Sequence, residues 1–415
     1  MKYPVKYFGG SALLCYTRKY IEECNAFFDK YQDGLAPIIG ETGIDGVLLD
    51  FNCGLRLQIP EGNWHVRIVD SRNELIFLDD DFSGVTLISM EKFYIEWEIA
   101  LWLDGALVFY HQFDPTEQRV LFRFPRPALG DTISLLPYLD QFRKIFDCDA
   151  FVELPPAFDG IIKNYYPHLK MTSDRPDDLY ATFFISGWMN VPTASPFDMR
   201  SIPMESFGVV LFNTPKISRL SKKIFTPTVP RSIEQKYVCI GVQASANPKC
   251  WLNPGGWDRV VDYLKSLGYR VLCIDRDRKC SNLDLTVEMP TGAEDFSGDY
   301  TLIDRVNQLA YADFFIGLGT GLSWLAWSVD IPVVLISGIS EPWCEFASAY
   351  RVHNPLVCHG CFNDTRIEAQ HIAHCVHHKG TPQAYECSKN ITAQQVISAI
   401  DRLIADHKLE ARHEK

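Results

Sequence analysis

The stretch that most limits what this chain can become runs from Arg119 to Phe146. Val120, Leu121 and Phe122 form a short apolar run, residues 124–127 a loop with two prolines, and the segment from Thr132 to Phe146 carries apolar residues at helical spacing. Strand, turn and amphipathic helix in that order are the opening unit of a doubly wound α/β domain, because a strand buried on both faces needs a crossover helix to cover it. Asp131 lies where the helix begins. An Asp in that place is most simply an N-cap, worth about 1 kcal/mol, and by itself it says little about chemistry.

The alternation continues. Asp149 to Leu154 and Tyr180 to Ile185 read as strands and Ala157 to Tyr166 as a helix, which predicts a parallel sheet. A basic, proline-bearing connection over 214–235 leads to a second set. Tyr237 to Val242, Arg270 to Asp275, Phe314 to Leu318 and Ile331 to Ile336 are strand-like, and Gly255 to Leu267, Leu302 to Ala312 and Gly321 to Ser328 are helical. Two such domains bind ligands at the carboxyl ends of their strands. Residues 1–117 differ in texture: short runs around Leu48, Leu57, Val66, Ile76, Leu87 and Ile95 alternate apolar and polar residues, which predicts antiparallel hairpins in a β-rich accessory domain. The expected division is 1–117 β-rich, 118–230 and 231–345 the two α/β domains, 346–390 a cysteine finger and 391–415 a C-terminal helix.

Several chemistry-bearing residues fall on the expected strand ends. Gln243, Ser245 and Lys249 follow one strand, and a Lys ammonium there suits a phosphate as readily as solvent. Gly319, Thr320, Gly321 and Leu322 join a strand to a helix, so free backbone N–H groups at the helix start form an anion site. Tyr300 has the shape to stack on a base, or simply to fill core. Cys358 and Cys361 make a Cys-x2-Cys knuckle, with Cys375 and Cys387 following. Four thiolates suit zinc or a single iron, and their closed set predicts a structural role. Five of the eleven histidines crowd the same segment, so an imidazole could replace a thiol.

Composition excludes some classes. Of the 415 residues, 47% are hydrophobic and 22% charged, which is ordinary for a folded globular chain. A formal charge of -12 without a Lys/Arg cluster argues against nucleic acid. The most apolar window, Leu322 to Ile339, is interrupted by Asp330 and Pro332 and predicts no membrane span. The start of the chain has no apolar export signal, and the thirteen cysteines are an odd number, so a cytoplasmic protein with reduced thiols is expected.

Gly130, Asp131, Thr132 and Ile133 with Pro137, then Gln243 to Trp251, then Gly319 to Ala326, resemble in order three motifs of the ADP-heptose-dependent lipopolysaccharide heptosyltransferases. The β-rich N-terminal block and the cysteine knuckle resemble, more narrowly, the bacterial autotransporter heptosyltransferases. That resemblance implies a GT-B glycosyltransferase with two Rossmann-like domains, Asp131 as the base, and donor contacts from Leu129, Gly130, Thr132, Gln243, Ser245, Lys249, Tyr300, Gly319, Thr320, Gly321 and Leu322. It also implies inverting transfer of heptose from ADP-glycero-manno-heptose to Ser/Thr hydroxyls of an adhesin passenger, without a divalent metal. One iron per chain at Cys358, Cys361, Cys375 and Cys387, with zinc as alternative, and a large homo-oligomeric ring complete the expectation. A saccharide acceptor, or a non-catalytic scaffold, are the competing readings. Gly319 and Trp324 depart from the lipopolysaccharide enzymes, which usually have Asp and His there, so the sugar contact at that point is left open.

Overall fold

The structure is a computed structural model that describes residues 2–9, 37–124, 127–185, 199–214, 222–282, 285–367 and 369–409. Pro125 and Arg126 of the first loop, Pro215 of the linker and the tail after Leu409 lie outside the described residues.

Runs of β-branched and aromatic residues build two large sheets. In the second α/β domain the strands Glu294–Asp295, Arg270–Cys273, Tyr237–Ile240, Phe315–Leu318, Val333–Ile336 and Tyr350–Val352 lie side by side in that order, all parallel. Numbered along the chain this is the order 3-2-1-4-5-6, which reverses direction between Tyr237–Ile240 and Phe315–Leu318 and opens a crevice there. Every residue of those two strands is buried, as a strand covered by helices on both faces requires. The C-terminal helix Ala393–His407 begins with a capping box, Thr392 with Gln395. It packs Val396, Ile400 and Leu403 into the same core as Val260 and Leu264 of the helix Gly256–Ser266.

In the first domain Lys170–Met171, Asp149–Glu153, Arg119–Arg123 and Ala181–Phe184 form the parallel series expected. The sheet does not stop at its edge. Leu48–Asn52 pairs in parallel with Ala181–Phe184, matching Phe51 to Ala181, and Arg56–Ile59, Val85–Ser89 and Val5–Phe8 continue outward to make eight strands. The boundary expected at 117 is therefore no break in the sheet, and part of the 1–117 block is an extension of the first Rossmann-like domain.

The physical reason lies in two polar residues. Arg56 and Gln58 alternate with Leu55, Leu57 and Ile59 and look like a solvent-facing set, yet they are buried. Asp50 receives the Arg56 guanidinium with both oxygens, Nε at 2.8 Å and Nη2 at 2.6 Å, and this fork-to-carboxylate geometry lets the charge stay inside. The alternation does hold in a separate antiparallel sheet of Leu75–Phe82, Trp64–Asp70, Trp97–Leu103 and Ala106–Gln112. There Trp64, Val66 and Ile68 face the core while Arg67 faces water and His65 is only partly covered. Both sheets share one continuous apolar core with the first α/β domain.

Candidate active site

A cleft of about 1270 Å³ separates the two α/β domains. It is lined by Leu129, Gly130, Asp131, Gln243, Ser245, Lys249, Tyr300, Gly319, Thr320, Gly321 and Leu322, so eleven of the twelve residues expected at the catalytic and donor sites meet there. The twelfth, Thr132, does not. Its side chain is wholly buried, and among the described residues its hydroxyl finds no hydrogen-bond partner. Successive helical residues are turned by about 100°, so a helix that aims Asp131 at the cleft aims Thr132 into the core.

The helix carrying Asp131 is Leu129–Phe146, beginning three residues earlier than expected, and Ala128 is its N-cap with no side-chain capping bond. Asp131 thus stands in the first turn, half-buried, and the simple capping role is set aside. The helix start is held by close packing across the cleft floor. A β-carbon on Gly130 would lie 2.7 Å from the Trp324 indole, and one on Gly321 2.6 Å from the Leu129 side chain. Trp324 is fixed in turn by edge-on contacts with Phe346 and Trp327 at 5.0 and 5.4 Å. Gly130 and Gly321 are required for this approach rather than for backbone freedom.

On the opposite wall Lys249 ends the short 3-10 helix Asn247–Lys249. Among the described residues no carboxylate pairs with it, and its Nζ lies 5.8 Å from the centre of the Phe362 ring. The helix Gly321–Ser328 starts beside it, with Thr320 as N-cap and no side-chain cap. Among the described residues the amides of Gly321 and Leu322 donate to no backbone carbonyl. An unneutralised ammonium and a bare helix start are what a diphosphate binds.

Asp275, two residues beyond the strand Arg270–Cys273, borders the cleft but is itself buried. Burial pushes its carboxyl up to about 6 against the opposing pull of the Val242 and Gln243 amides, which donate to it at 2.7 and 3.3 Å. It shapes the loop that carries Ser245. Tyr300 is half-exposed with its ring 4.5 Å from the Arg305 guanidinium, while Arg305 donates to the carbonyls of Phe296 (2.7 Å), Asp275 (3.0 Å) and Gly298 (3.3 Å) and to the Gln308 side chain (2.8 Å). The result is a flat, rigid platform fit for a base. Arg305, Glu345 and Phe362 also line the cleft. None belongs to a motif, and only their meeting in space marks them.

The four cysteines border one cavity, but among the described residues no three of them bring their sulfurs within 4.8 Å of one another. Cys358, Cys361, Cys375 and Cys387 line one cavity of about 10 Å³ with His378 and Glu386, roughly the space of a single water. Among the described residues Cys358, His378 and Glu386 hold ligand atoms within 4.8 Å of one another. Burial pushes the Cys361 and Cys387 thiols up to about 11 and 12. Buried thiols crowded in this way suit a cation that would draw off their protons. Glu386 carries no sequence signal of its own.

This finger also braces the Lys249 loop. Pro248 borders the cysteine cavity. Ser388, next to Cys387, accepts a hydrogen bond from the Leu252 amide at 2.8 Å and donates to the Cys250 carbonyl. Trp251 donates its indole N–H to the Ile391 carbonyl at 2.8 Å.

Two Rossmann-like domains enclosing a cleft are the architecture of a GT-B glycosyltransferase. Residues 43–105 match the family described as "Glycosyltransferase TibC, N-terminal domain", and residues 204–364 match "Glycosyltransferase family 9 (heptosyltransferase)". The autotransporter heptosyltransferase BAHTCr of Citrobacter rodentium is 36% identical over 374 residues, 88% of this chain and 91% of that protein. The crystal structure of the iron-containing dodecameric glycosyltransferase TibC from enterotoxigenic E. coli H10407 superposes with a TM-score of 0.81 and 34% identity, over 89% of this chain and 99% of that one. TibC has also been seen in complex with ADP-D-beta-D-heptose, in a structure with a TM-score of 0.80 and 34% identity that covers 89% of this chain and 98% of that one. A more distant relative, 28% identical over 368 residues (86% of each chain), is the inactive autotransporter heptosyltransferase BimC of Burkholderia thailandensis. This chain belongs to the autotransporter heptosyltransferase family. No helix among the described residues is long and apolar enough to cross a membrane.

Proposed function

We propose that this protein transfers heptose from ADP-glycero-manno-heptose to serine or threonine hydroxyls of an autotransporter adhesin passenger in the cytoplasm. The observation that carries the reading is the placement of Asp131 and Lys249 in one cleft, on opposite domains. Asp131 takes the proton of the acceptor hydroxyl as it attacks the anomeric carbon. Lys249 and the amides at Gly321 and Leu322 neutralise charge as it builds on the departing ADP. A single displacement of this kind inverts the anomeric centre and needs no divalent metal. Adenine stacks on Tyr300.

The existence of an inactive relative gives the scaffold reading a specific footing. Intact-mass spectrometry of a passenger fragment incubated with the protein and ADP-heptose separates the two. Additions of one heptose each are expected; donor binding with no addition to the passenger would move the acceptor to a saccharide, and no donor binding would leave a scaffold.

We assign one iron to Cys358, Cys361, Cys375 and Cys387, with His378 and Glu386 beside it, and a homo-oligomeric ring as the assembly. The metal's chemistry here is to hold thiolates together. Because the finger braces the loop of Lys249, chelation is expected to lower the melting temperature by on the order of 5 °C, each kcal/mol being worth roughly 2–4 °C in domains of 150–250 residues. ADP affinity is expected to fall with it. Scanning fluorimetry and ADP titration before and after chelation measure both, and an unchanged melting curve after metal loss would refute a structural metal.

A further inference from the structure

The loop that brings Ser245 and Lys249 to the cleft is held at both ends. At its far end Cys250, Trp251 and Leu252 are hydrogen-bonded to Ser388 and Ile391. At its near end stands Asp275, which is 2% exposed and lies two residues beyond the neighbouring strand Arg270–Cys273. Its Oδ2 accepts the Val242 amide at 2.7 Å and its Oδ1 the Gln243 amide at 3.3 Å. The backbone carbonyl of the same residue accepts Nη2 of Arg305 at 3.0 Å, and that guanidinium lies 4.5 Å from the centre of the Tyr300 ring. Asp275 therefore joins the loop of Lys249 to the underside of the Tyr300 platform, through its carboxylate on one side and its backbone on the other.

This arrangement suits one protonation state. An ionised carboxylate is an acceptor only and satisfies both amides. A protonated carboxyl keeps one good acceptor and turns the other oxygen into a hydroxyl. Each oxygen of Asp275 already faces an amide N–H, so one of the two bonds weakens whichever oxygen takes the proton. Facing the carboxyl are the Arg305 guanidinium from the helix Leu302–Ala310, the Cys273 thiol of its own strand, 3.5 Å from Oδ2, and the Cys250 thiol at the other end of the loop. Burial favours the neutral form and outweighs the opposing pull of the two amides, the Cys273 thiol and Arg305, which places the change of state at about 6. We propose that Asp275 is a positioning residue for donor binding: its carboxylate holds the start of the Lys249 loop in the geometry that takes the diphosphate, and protonation of that carboxylate releases the loop and weakens the hold on the donor. The inference rests on the nucleotide-sugar reading of the cleft.

Calorimetric titration of ADP-heptose against the full-length protein from mildly acid to mildly alkaline pH tests it. This donor is the suitable probe because its diphosphate is esterified at both ends and keeps its charge over that range. Affinity is expected to be highest at the alkaline end and to fall roughly 10-fold toward the acid end, the size of a hydrogen bond to a charged group, with its midpoint near 6. Asp275→Asn places an N–H donor against one of the two amides at every pH. It is expected to bind ADP-heptose at alkaline pH as weakly as the original protein does at acid pH, and to show no pH dependence of its own. Melting curves separate positioning from structural support. A carboxyl held in its neutral form by burial contributes stability that is full at acid pH and lost as pH rises through about 6, so Asp275→Asn is expected to melt no lower than the original protein at alkaline pH. A variant that loses donor affinity only together with its melting temperature, or a pH profile that the substitution leaves unchanged, overturns the proposal while the donor site stands. If the original protein binds no ADP-heptose at any pH, the nucleotide-sugar reading fails and the proposal with it.

Discussion

Asp131→Ala is expected to fold normally and to lose about 10²- to 10⁴-fold in heptose transfer, the range for removal of a general base. Folding should survive because Asp131 does not cap its helix: Ala128 holds the N-cap position and no side-chain capping bond is made. An acidic residue in the first turn interacts with the helix dipole by about 0.3–1 kcal/mol, so a small drop in melting temperature is the whole structural penalty. Neighbouring residues keep the helix start in place, since Gly130 packs on Trp324 and Leu129 on Gly321 whatever occupies position 131. Initial rates of passenger modification followed by intact mass, with thermal unfolding alongside, separate chemistry from folding. Transfer by the variant at near the original rate would remove Asp131 from the mechanism.

Lys249→Ala is expected to weaken ADP binding roughly 10- to 100-fold, since a charge-assisted hydrogen bond contributes about 1.5–3 kcal/mol and each 1.4 kcal/mol is a factor of ten. Turnover should fall as well, because the negative charge on the departing diphosphate grows toward the transition state. Other cations around the cleft are poor substitutes. Arg305 is enclosed by carbonyls, Arg351 is tied to Glu345, and Arg276 is largely in solvent near Asp299. Calorimetric titration with ADP at two salt concentrations is the measurement. An affinity unchanged by the substitution would place the diphosphate on the helix start at Gly321 alone.

Much of the site could be read along the chain because its parts are local. A strand end, a glycine turn and a helix start are contiguous in sequence, so Gly319 to Leu322 could be expected at the cleft before its neighbours were known, and Gly130 with Asp131 marked the matching turn in the other domain. The Cys-x2-Cys spacing of Cys358 and Cys361 was equally plain, whereas His378 and Glu386 beside the same cavity were marked only by the fold. Glu345 was not legible. A β-carbon on Gly319 would overlap its carboxylate, and that meeting is made by the turn after Val333–Ile336 and by Arg351 on the adjoining strand.

By itself the amino-acid sequence determined the two α/β halves: apolar runs such as Val120 to Phe122, Tyr237 to Ile240 and Phe315 to Leu318 can be buried on both faces only in a parallel sheet covered by helices. Tertiary structure decided which polar residues stay dry. Arg56 and Gln58 alternate like a wet face, but Asp50 satisfies the guanidinium inside, and so the N-terminal strands join the first sheet rather than stand apart. It decided, too, that Asp131 turns to the cleft and Thr132 to the core, and that a carboxylate fills the space Gly319 leaves. Periodicity records which residues share a face; burial, charge pairing and close approach across the cleft depend on what that face meets.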